Sequence, residues 1–193
     1  MAANVAQGIQ TVMSLFELQR TQLRPPGAVE ETAFHKLCVH CGKCLAVCQH
    51  GSIEFEGGFG ADRLLPRIRP ERAPCRLCMK CTAACPTGAL DPAIDEMHKA
   101  RMGLAFILEN RCYNFTGGLM CWTCYDHCPL RGHGMVLKDG LTPHVTQGCA
   151  GCGVCITVCP AKAVEVRPGK NPPPPEGALP LLPEPQRAEG GAS

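Results

Sequence analysis

The sequence is poor in the large side chains from which a protein of its length usually builds a core. Six Phe, two Tyr and one Trp are its only aromatic residues among 193, whereas Gly and Pro contribute 21 and 18. A chain of this size normally stabilises itself by burying apolar side chains. A helical bundle, a coiled coil and a plain α/β enzyme are therefore unfavourable interpretations, and the loops need another source of stability.

Charge, long apolar runs and catalytic motifs are scarce as well. The formal net charge is only +2 and no dense basic block occurs, which argues against a nucleic-acid partner. The longest apolar run has six residues, 103–108, far short of the ~18 that cross a bilayer, so we expect no transmembrane segment. No G-x-G-x-x-G, phosphate-binding loop or Ser-His-Asp pattern is found. We therefore predict a protein that is not an enzyme and has no substrate site of its own.

What the sequence has in abundance is cysteine. Its 16 cysteines form four groups of four with none left over, and 26, 26 and 20 residues separate the groups. The near-even spacing is an internal repeat of roughly 37 residues. We predict that all of them are metal ligands: Cys38, Cys41, Cys44 and Cys48 in group one; Cys75, Cys78, Cys81 and Cys85 in group two; Cys112, Cys121, Cys124 and Cys128 in group three; Cys149, Cys152, Cys155 and Cys159 in group four.

The spacing within the groups indicates the kind of metal site. Groups one, two and four read C-x2-C-x2-C-x3-C, and a proline follows the last cysteine of groups two, three and four. This is the run that binds [4Fe–4S] clusters in bacterial ferredoxins, where the fourth cysteine ligates the other cluster of a pair. Zinc sites instead join two C-x2-C knuckles across a longer spacer. The sequence therefore predicts four [4Fe–4S] clusters.

Group three departs from this spacing. Eight residues, 113–120, separate its first two cysteines, so the first sulfur has to come from a longer loop folded back onto the cluster. Such a loop can change the exposure of a cluster and the hydrogen bonds to it, both of which tune its potential. Trp122 and Tyr125 lie between ligands of this group, and we expect them to shield the cluster from water.

The repeat predicts a small, loop-rich α+β fold with two ferredoxin-like modules, each organised around two iron–sulfur clusters. We predict an N-terminal amphipathic helix or leader remnant at 1–30, modules at 31–98 and 99–167, and a Pro-rich tail at 168–193 that is extended, mobile or draped over the surface. Neighbouring groups can pair, one with two and three with four. A nested pairing, as in iron–sulfur subunits of molybdenum oxidoreductases, fits the spacing equally well.

Two stretches beside the cysteines are similar to a known family. The runs at 23–44 and 100–115, together with the third group CYNFTGGLMCWTCYDHCP, resemble the ferredoxin-type proteins called NapG and MauM. The resemblance covers residues 23–167. It implies an electron-transfer protein with four [4Fe–4S] clusters. Nitrate-linked members work with a membrane iron–sulfur protein that oxidises quinol and feed the periplasmic nitrate reductase. Other members accompany methylamine dehydrogenase genes.

The resemblance leaves alternatives open for the function of the protein and for its cellular location. The chain could instead be an iron–sulfur subunit of another oxidoreductase complex, or an accessory factor that matures a partner metalloenzyme. The family implies a periplasmic protein that can associate with the membrane. Family members usually begin with a twin-arginine leader, and this sequence contains no Arg-Arg pair. If that difference is genuine, we expect a cytoplasmic location.

Overall fold

Five short α-helices and six short strands form the regular structure of residues 22–55 and 65–185, the parts of the chain that the computed structural model describes. The predicted N-terminal helix lies, up to residue 21, outside these described residues. The helices are α1 (Glu31–Leu37), α2 (Lys43–Ala46), α3 (Lys80–Ala84), α4 (Thr123–Asp126) and α5 (Val154–Val158). The strands are β1 (Ile53–Phe55), β2 (Pro66–Ile68), β3 (Gly103–Ile107), β4 (Met135–Lys138), β5 (Thr142–Val145) and β6 (Val164–Pro168). The mixture of small helices and strands agrees with the predicted fold class.

The strands pair in three antiparallel two-stranded sheets. β1 pairs with β2, β4 pairs with β5, and β3 pairs with β6 over five residue pairs from Gly103–Pro168 to Ile107–Val164. The turn between β4 and β5 contains Asp139 and Gly140, both at positive φ, which is the conformation that a type I′ hairpin turn requires. Each half of the chain therefore contains one antiparallel strand pair between its two groups of cysteines: β1–β2 in the first half, and β4–β5 with its tight turn in the second.

The same connectivity occurs in both halves. In the first half, a single antiparallel bridge between Ala28 and Leu90 joins the segments before group one and after group two. In the second half, the β3–β6 ladder joins the corresponding segments before group three and after group four. The cysteine loops and a central hairpin lie between these paired ends in each case. The module boundaries remain predictions, but this repeated topology follows the sequence repeat.

Two clusters of buried side chains form the core. The first contains Phe34, Leu65 and Leu90 from the first half, but also Met102 and Val154 from the second. The second cluster lies within the second half and is built on the buried strand β3 together with residues of β4, β5 and β6. Cysteines belong to both clusters. The two halves therefore share one apolar cluster and pack against each other.

The described part of the Pro-rich tail, up to residue 185, is draped over the second half. Leu179 donates a backbone hydrogen bond to Ile107 (2.9 Å), and Leu182 donates one to Val145 (2.9 Å). Glu184 forms ion pairs with Arg101 (3.2 Å) and with His133 (2.9 Å). Within the described residues, no α-helix combines the length and the apolar character needed to cross a bilayer.

Candidate metal centres

The sixteen cysteines gather into four sites, which we call cages one to four. Cage one is a half-open cavity lined by the first three cysteines of group one and the last of group two: Cys38, Cys41, Cys44 and Cys85. Cage two has the reciprocal composition: Cys48, Cys75, Cys78 and Cys81. The fourth cysteine of each group thus crosses to the neighbouring cage, as in two-cluster ferredoxins.

The second half repeats this exchange. Cage three is lined by Cys112, Cys121, Cys124 and Cys159. In cage four, Cys128 lies near Cys149 and Cys152, and Cys155 interacts with all three: Cys128, Cys149 and Cys152. The structure therefore brings group one together with group two, and group three with group four. Of the two pairings that the spacing allows, the described cysteines adopt the sequential one.

A local backbone turn shapes three of the four groups. In each of them, the residue before and the residue after the second cysteine have left-handed backbone conformations. The pairs are His40 and Gly42, Leu77 and Met79, and Gly151 and Gly153. This turn reverses the chain around the second cysteine and starts the short helix that carries the third. The last cysteine follows within two residues of the end of that helix, which points it toward the other cage.

Backbone N–H groups surround the sulfur atoms. Five cysteine sulfurs accept a hydrogen bond from a backbone N–H, with N···S distances of 3.3–3.4 Å. The donor and acceptor pairs are Ser52 to Cys48, Leu77 to Cys75, Leu90 to Cys85, Gly151 to Cys149, and Ala163 to Cys159. Such donors stabilise negative charge on a metal-bound thiolate and tune the potential of a redox centre.

The protonation of the thiols reflects their burial. Burial, reinforced by neighbouring cysteines, raises the pKa of Cys75, Cys81 and Cys124 to about 12. Burial also acts to raise the pKa of Cys85, but hydrogen bonds led by the Leu90 N–H outweigh it, and the pKa of Cys85 is lowered. Without a metal, burial thus favours the neutral form of Cys75, Cys81 and Cys124. A cationic metal centre is what converts such thiols into thiolate ligands.

The donor set fits an iron–sulfur cluster. In residues 22–55 and 65–185, no three His, Cys, Asp or Glu side chains converge closely enough to hold a single metal ion. The four thiols of a cage instead line one wider space, together with apolar residues such as Phe34 and Phe55 in cage one. All-sulfur donor sets are typical of zinc and of iron–sulfur sites. The exchanged fourth cysteine and the N–H···S bonds are the arrangement found around [4Fe–4S] clusters.

The cages adjoin one another in a defined order. Within the halves, the short helices that carry the third cysteines contact each other: α2 with Cys44 contacts α3 with Cys81, and α4 with Cys124 contacts α5 with Cys155. Between the halves, the backbone N–H of Cys75 in cage two donates to the carbonyl of Cys152 in cage four, at 2.9 Å. The order is therefore one, two, four, three, which differs from the order of the groups along the chain.

Trp122 does not shield cage three as the sequence suggested. Its side chain is 38% exposed and is not among the residues that line the cage. Its Nε1 donates to the carbonyl of Leu141 (2.6 Å), so the ring lies against the β4–β5 turn. Tyr113 lines the cage instead, while Tyr125 packs on the second core cluster beside Arg131. The prediction was wrong for Trp122 because adjacency in sequence does not determine where a large ring packs.

A buried ion pair beside cage one escaped the sequence analysis. Arg24 is 1% exposed and donates to the carboxylate of Glu31, with an Nε–Oε1 distance of 2.9 Å. Its guanidinium also lies 5.3 Å from the centre of the Phe34 ring. The positive charge of Arg24 acts on Cys38, a cage-one cysteine. An arginine beside two prolines carries no periodic signal of burial, so only the tertiary structure reveals it.

Comparison with known proteins agrees with this chemistry. Residues 37–89 match the family described as "4Fe-4S dicluster domain", and residues 146–162 match a "4Fe-4S binding domain". The chain is thus an iron–sulfur protein of the ferredoxin type.

Its relatives define the family further. It is 38% identical over 149 residues to the methylamine utilization ferredoxin-type protein MauM of Paracoccus denitrificans. The matched region covers 71% of this chain and 66% of that protein. It is 34% identical over 173 residues to the ferredoxin-type protein NapG of Escherichia coli, covering 82% and 74%. The MauM of Methylobacillus flagellatus is 36% identical over 159 residues, covering 76% and 68%. The chain belongs to the NapG and MauM family of ferredoxin-type proteins.

Proposed function

We propose that this protein holds four [4Fe–4S] clusters, one in each cage, and transfers single electrons between two redox partners without a substrate site of its own. The observation that carries the proposal is the continuous order of the four cages, each built from four cysteines. When bound, a [4Fe–4S] cluster takes up and releases one electron without a change of ligands. The thiols of the sixteen cysteines supply the ligands.

Hydrogen-bond donors, apolar side chains and the contact between the cages support electron transfer. N–H donors around the sulfurs, such as those of Leu77 and Gly151, stabilise the added negative charge of reduction. Aromatic and aliphatic side chains, such as Phe34 and Ile107, limit water around the outer cages. The Cys75–Cys152 hydrogen bond holds cages two and four side by side. Cages one and three form the ends of the series, so we expect partners to dock there.

The partners follow from the family. We propose that a quinol-oxidising iron–sulfur protein of the membrane donates electrons and that a terminal redox enzyme, such as a periplasmic nitrate reductase, accepts them on the periplasmic side. Relatives are also named for methylamine utilization, so nitrate reduction and methylamine oxidation are both assayed in the test. Fractionation of source cells into periplasm, membrane and cytoplasm checks the location.

A gene deletion separates electron transfer from maturation. Activity of the terminal enzyme is measured in the deletion strain, with its physiological donor and with an artificial donor such as reduced methyl viologen. If the protein transfers electrons, the artificial donor restores activity, because the terminal enzyme itself is intact. Activity that stays absent with the artificial donor would contradict the proposal and favour a maturation factor. Complementation with wild-type protein and with Cys152→Ala provides the matched controls.

A further inference from the structure

One side chain, that of Asn114, closes the long loop of the third cysteine group. Its Nδ2 donates to the backbone carbonyl of Cys121 (2.6 Å), and its Oδ1 accepts from the backbone N–H of Cys121 (2.9 Å). Both backbone groups of the second cysteine of cage three are therefore bound by one amide.

The remainder of the loop does not fix Cys121. After Cys112, the chain makes one turn in which Phe115 and Thr116 donate to the Cys112 carbonyl at 2.9 and 3.0 Å. The tip then extends outward, where Leu119 and Met120 are 70% and 68% exposed. Phe115 contacts the His144 ring, with 6.0 Å between the ring centroids, but such an exposed tip contributes little to the position at which the chain returns to the cage. The two Asn114 hydrogen bonds span that return directly.

Group three needs this contact because it lacks the turn of the other groups. Where groups one, two and four have a left-handed residue after the second cysteine, Trp122 has a φ of −118°. Groups one, two and four place their second cysteine in a left-handed backbone turn, whereas group three holds it through a side chain. Asparagine suits this task since its planar amide offers a donor and an acceptor at once, which neither alanine nor an ionised aspartate provides.

We propose that Asn114 is a positioning residue for cage three: it holds Cys121 in place across the eight-residue insertion and thereby sets the ligand geometry and the potential of the cluster bound there. The inference rests on the proposed function, because it assigns a cluster to this cage. The orientation of the ligands and the exposure of a cluster to solvent both tune its potential. Removal of the Asn114 amide is therefore expected to change the potential of this cluster or to cause its loss.

The test uses the full chain, purified anaerobically, with two variants of the same position. Asn114→Ala removes both hydrogen bonds to Cys121. Asn114→Asp keeps the acceptor but turns a negative charge toward the Cys121 carbonyl. Asn110→Ala, at an exposed asparagine four residues earlier, is the control. Iron content and a redox titration followed by cryogenic EPR are recorded for each, and the signal that Cys112→Ala lacks identifies the cage-three cluster.

We expect the cage-three potential to differ from wild type in both Asn114→Ala and Asn114→Asp, while the other signals and Asn110→Ala match wild type. Loss of the cage-three signal alone, with iron falling by about a quarter since one cluster in four is missing, supports the same role. Wild-type potentials and iron content in both Asn114 variants would overturn it. If wild type itself has no signal that Cys112→Ala removes, the cage-three cluster of the proposed function fails, a result distinct from failure of the Asn114 role.

Discussion

The two halves of the molecule hold their cysteine cages with different supporting contacts. Both join their ends across a central hairpin and exchange their fourth cysteines between two cages. The first half closes its ends with the single Ala28–Leu90 bridge, and the buried Arg24–Glu31 pair supports the segment before group one. The second half uses the five-pair β3–β6 ladder and adds the draped tail. The comparison teaches that a repeated ligand pattern fixes the cages, while the contacts that support them can differ.

The largest effect is expected from removal of a ligand, and it should be similar in both halves. Cys78→Ala in cage two and Cys152→Ala in cage four each remove one thiolate, and metal binding is coupled to folding. We expect each variant to lose or degrade one cluster, with iron per chain falling by about a quarter. Iron analysis of anaerobically purified protein checks this prediction. Iron content equal to wild type in either variant would contradict the assignment of that cysteine.

The Arg24–Glu31 pair should matter more than any ion pair of the second half. Arg24→Met leaves the carboxylate of Glu31 buried at 7% exposure without its arginine, with His35 still 3.3 Å away. Breaking a buried pair in this way costs about 3–5 kcal/mol. A lowered melting temperature and an early loss of the cage-one signal are expected, and the double variant Arg24→Met with Glu31→Gln should recover part of the loss. Stability unchanged in the single variant would show that this pair does not hold the first half together.

Contact between the halves should be sensitive at Gly153. This residue has a φ of +82°, and a Cβ there would overlap the Cβ of Pro70 from the first half. Gly153→Ala is expected to cost about 1–3 kcal/mol from overlap, beyond the strain of the left-handed conformation, and to weaken magnetic interaction between the halves in EPR. Gly132→Ala is the control, because Gly132 has a φ of +79° and no atom within 4 Å of an added Cβ. Equal melting temperatures for the two variants would argue against tight contact at this point.

The smallest effect is expected where the tail meets the second half. Glu184 is 40% exposed, and it pairs with the partly exposed Arg101 and with His133, whose side chain is only 10% exposed. The carboxylate is therefore in contact with solvent in both pairs. Exposed pairs of this kind contribute at most about 1 kcal/mol. Glu184→Gln should therefore lower the melting temperature far less than Arg24→Met does. A comparable loss in both variants would remove the distinction drawn between the two halves.

The sequence allowed much of the site to be predicted because its ligand pattern is local. Four groups at C-x2-C spacing indicate cages and short helices without knowledge of the fold. The pairing of groups could not be read in this way, since it depends on tertiary contacts such as that between Cys75 and Cys152. Arg24 and Asn114 were also beyond reach. Their roles arise from partners seven residues away in each case, at spacings that no turn or helix rule singles out.

The most direct test of the account is the metal and sulfide content of the anaerobically purified protein, with EPR spectra recorded at low temperature after reduction by dithionite. Four cages that each hold one [4Fe–4S] cluster predict about 16 iron and 16 acid-labile sulfide per chain and several magnetically interacting signals. Zinc in place of iron, or iron sufficient for only two clusters, would contradict the central claim that every group of cysteines contributes to an iron–sulfur cage.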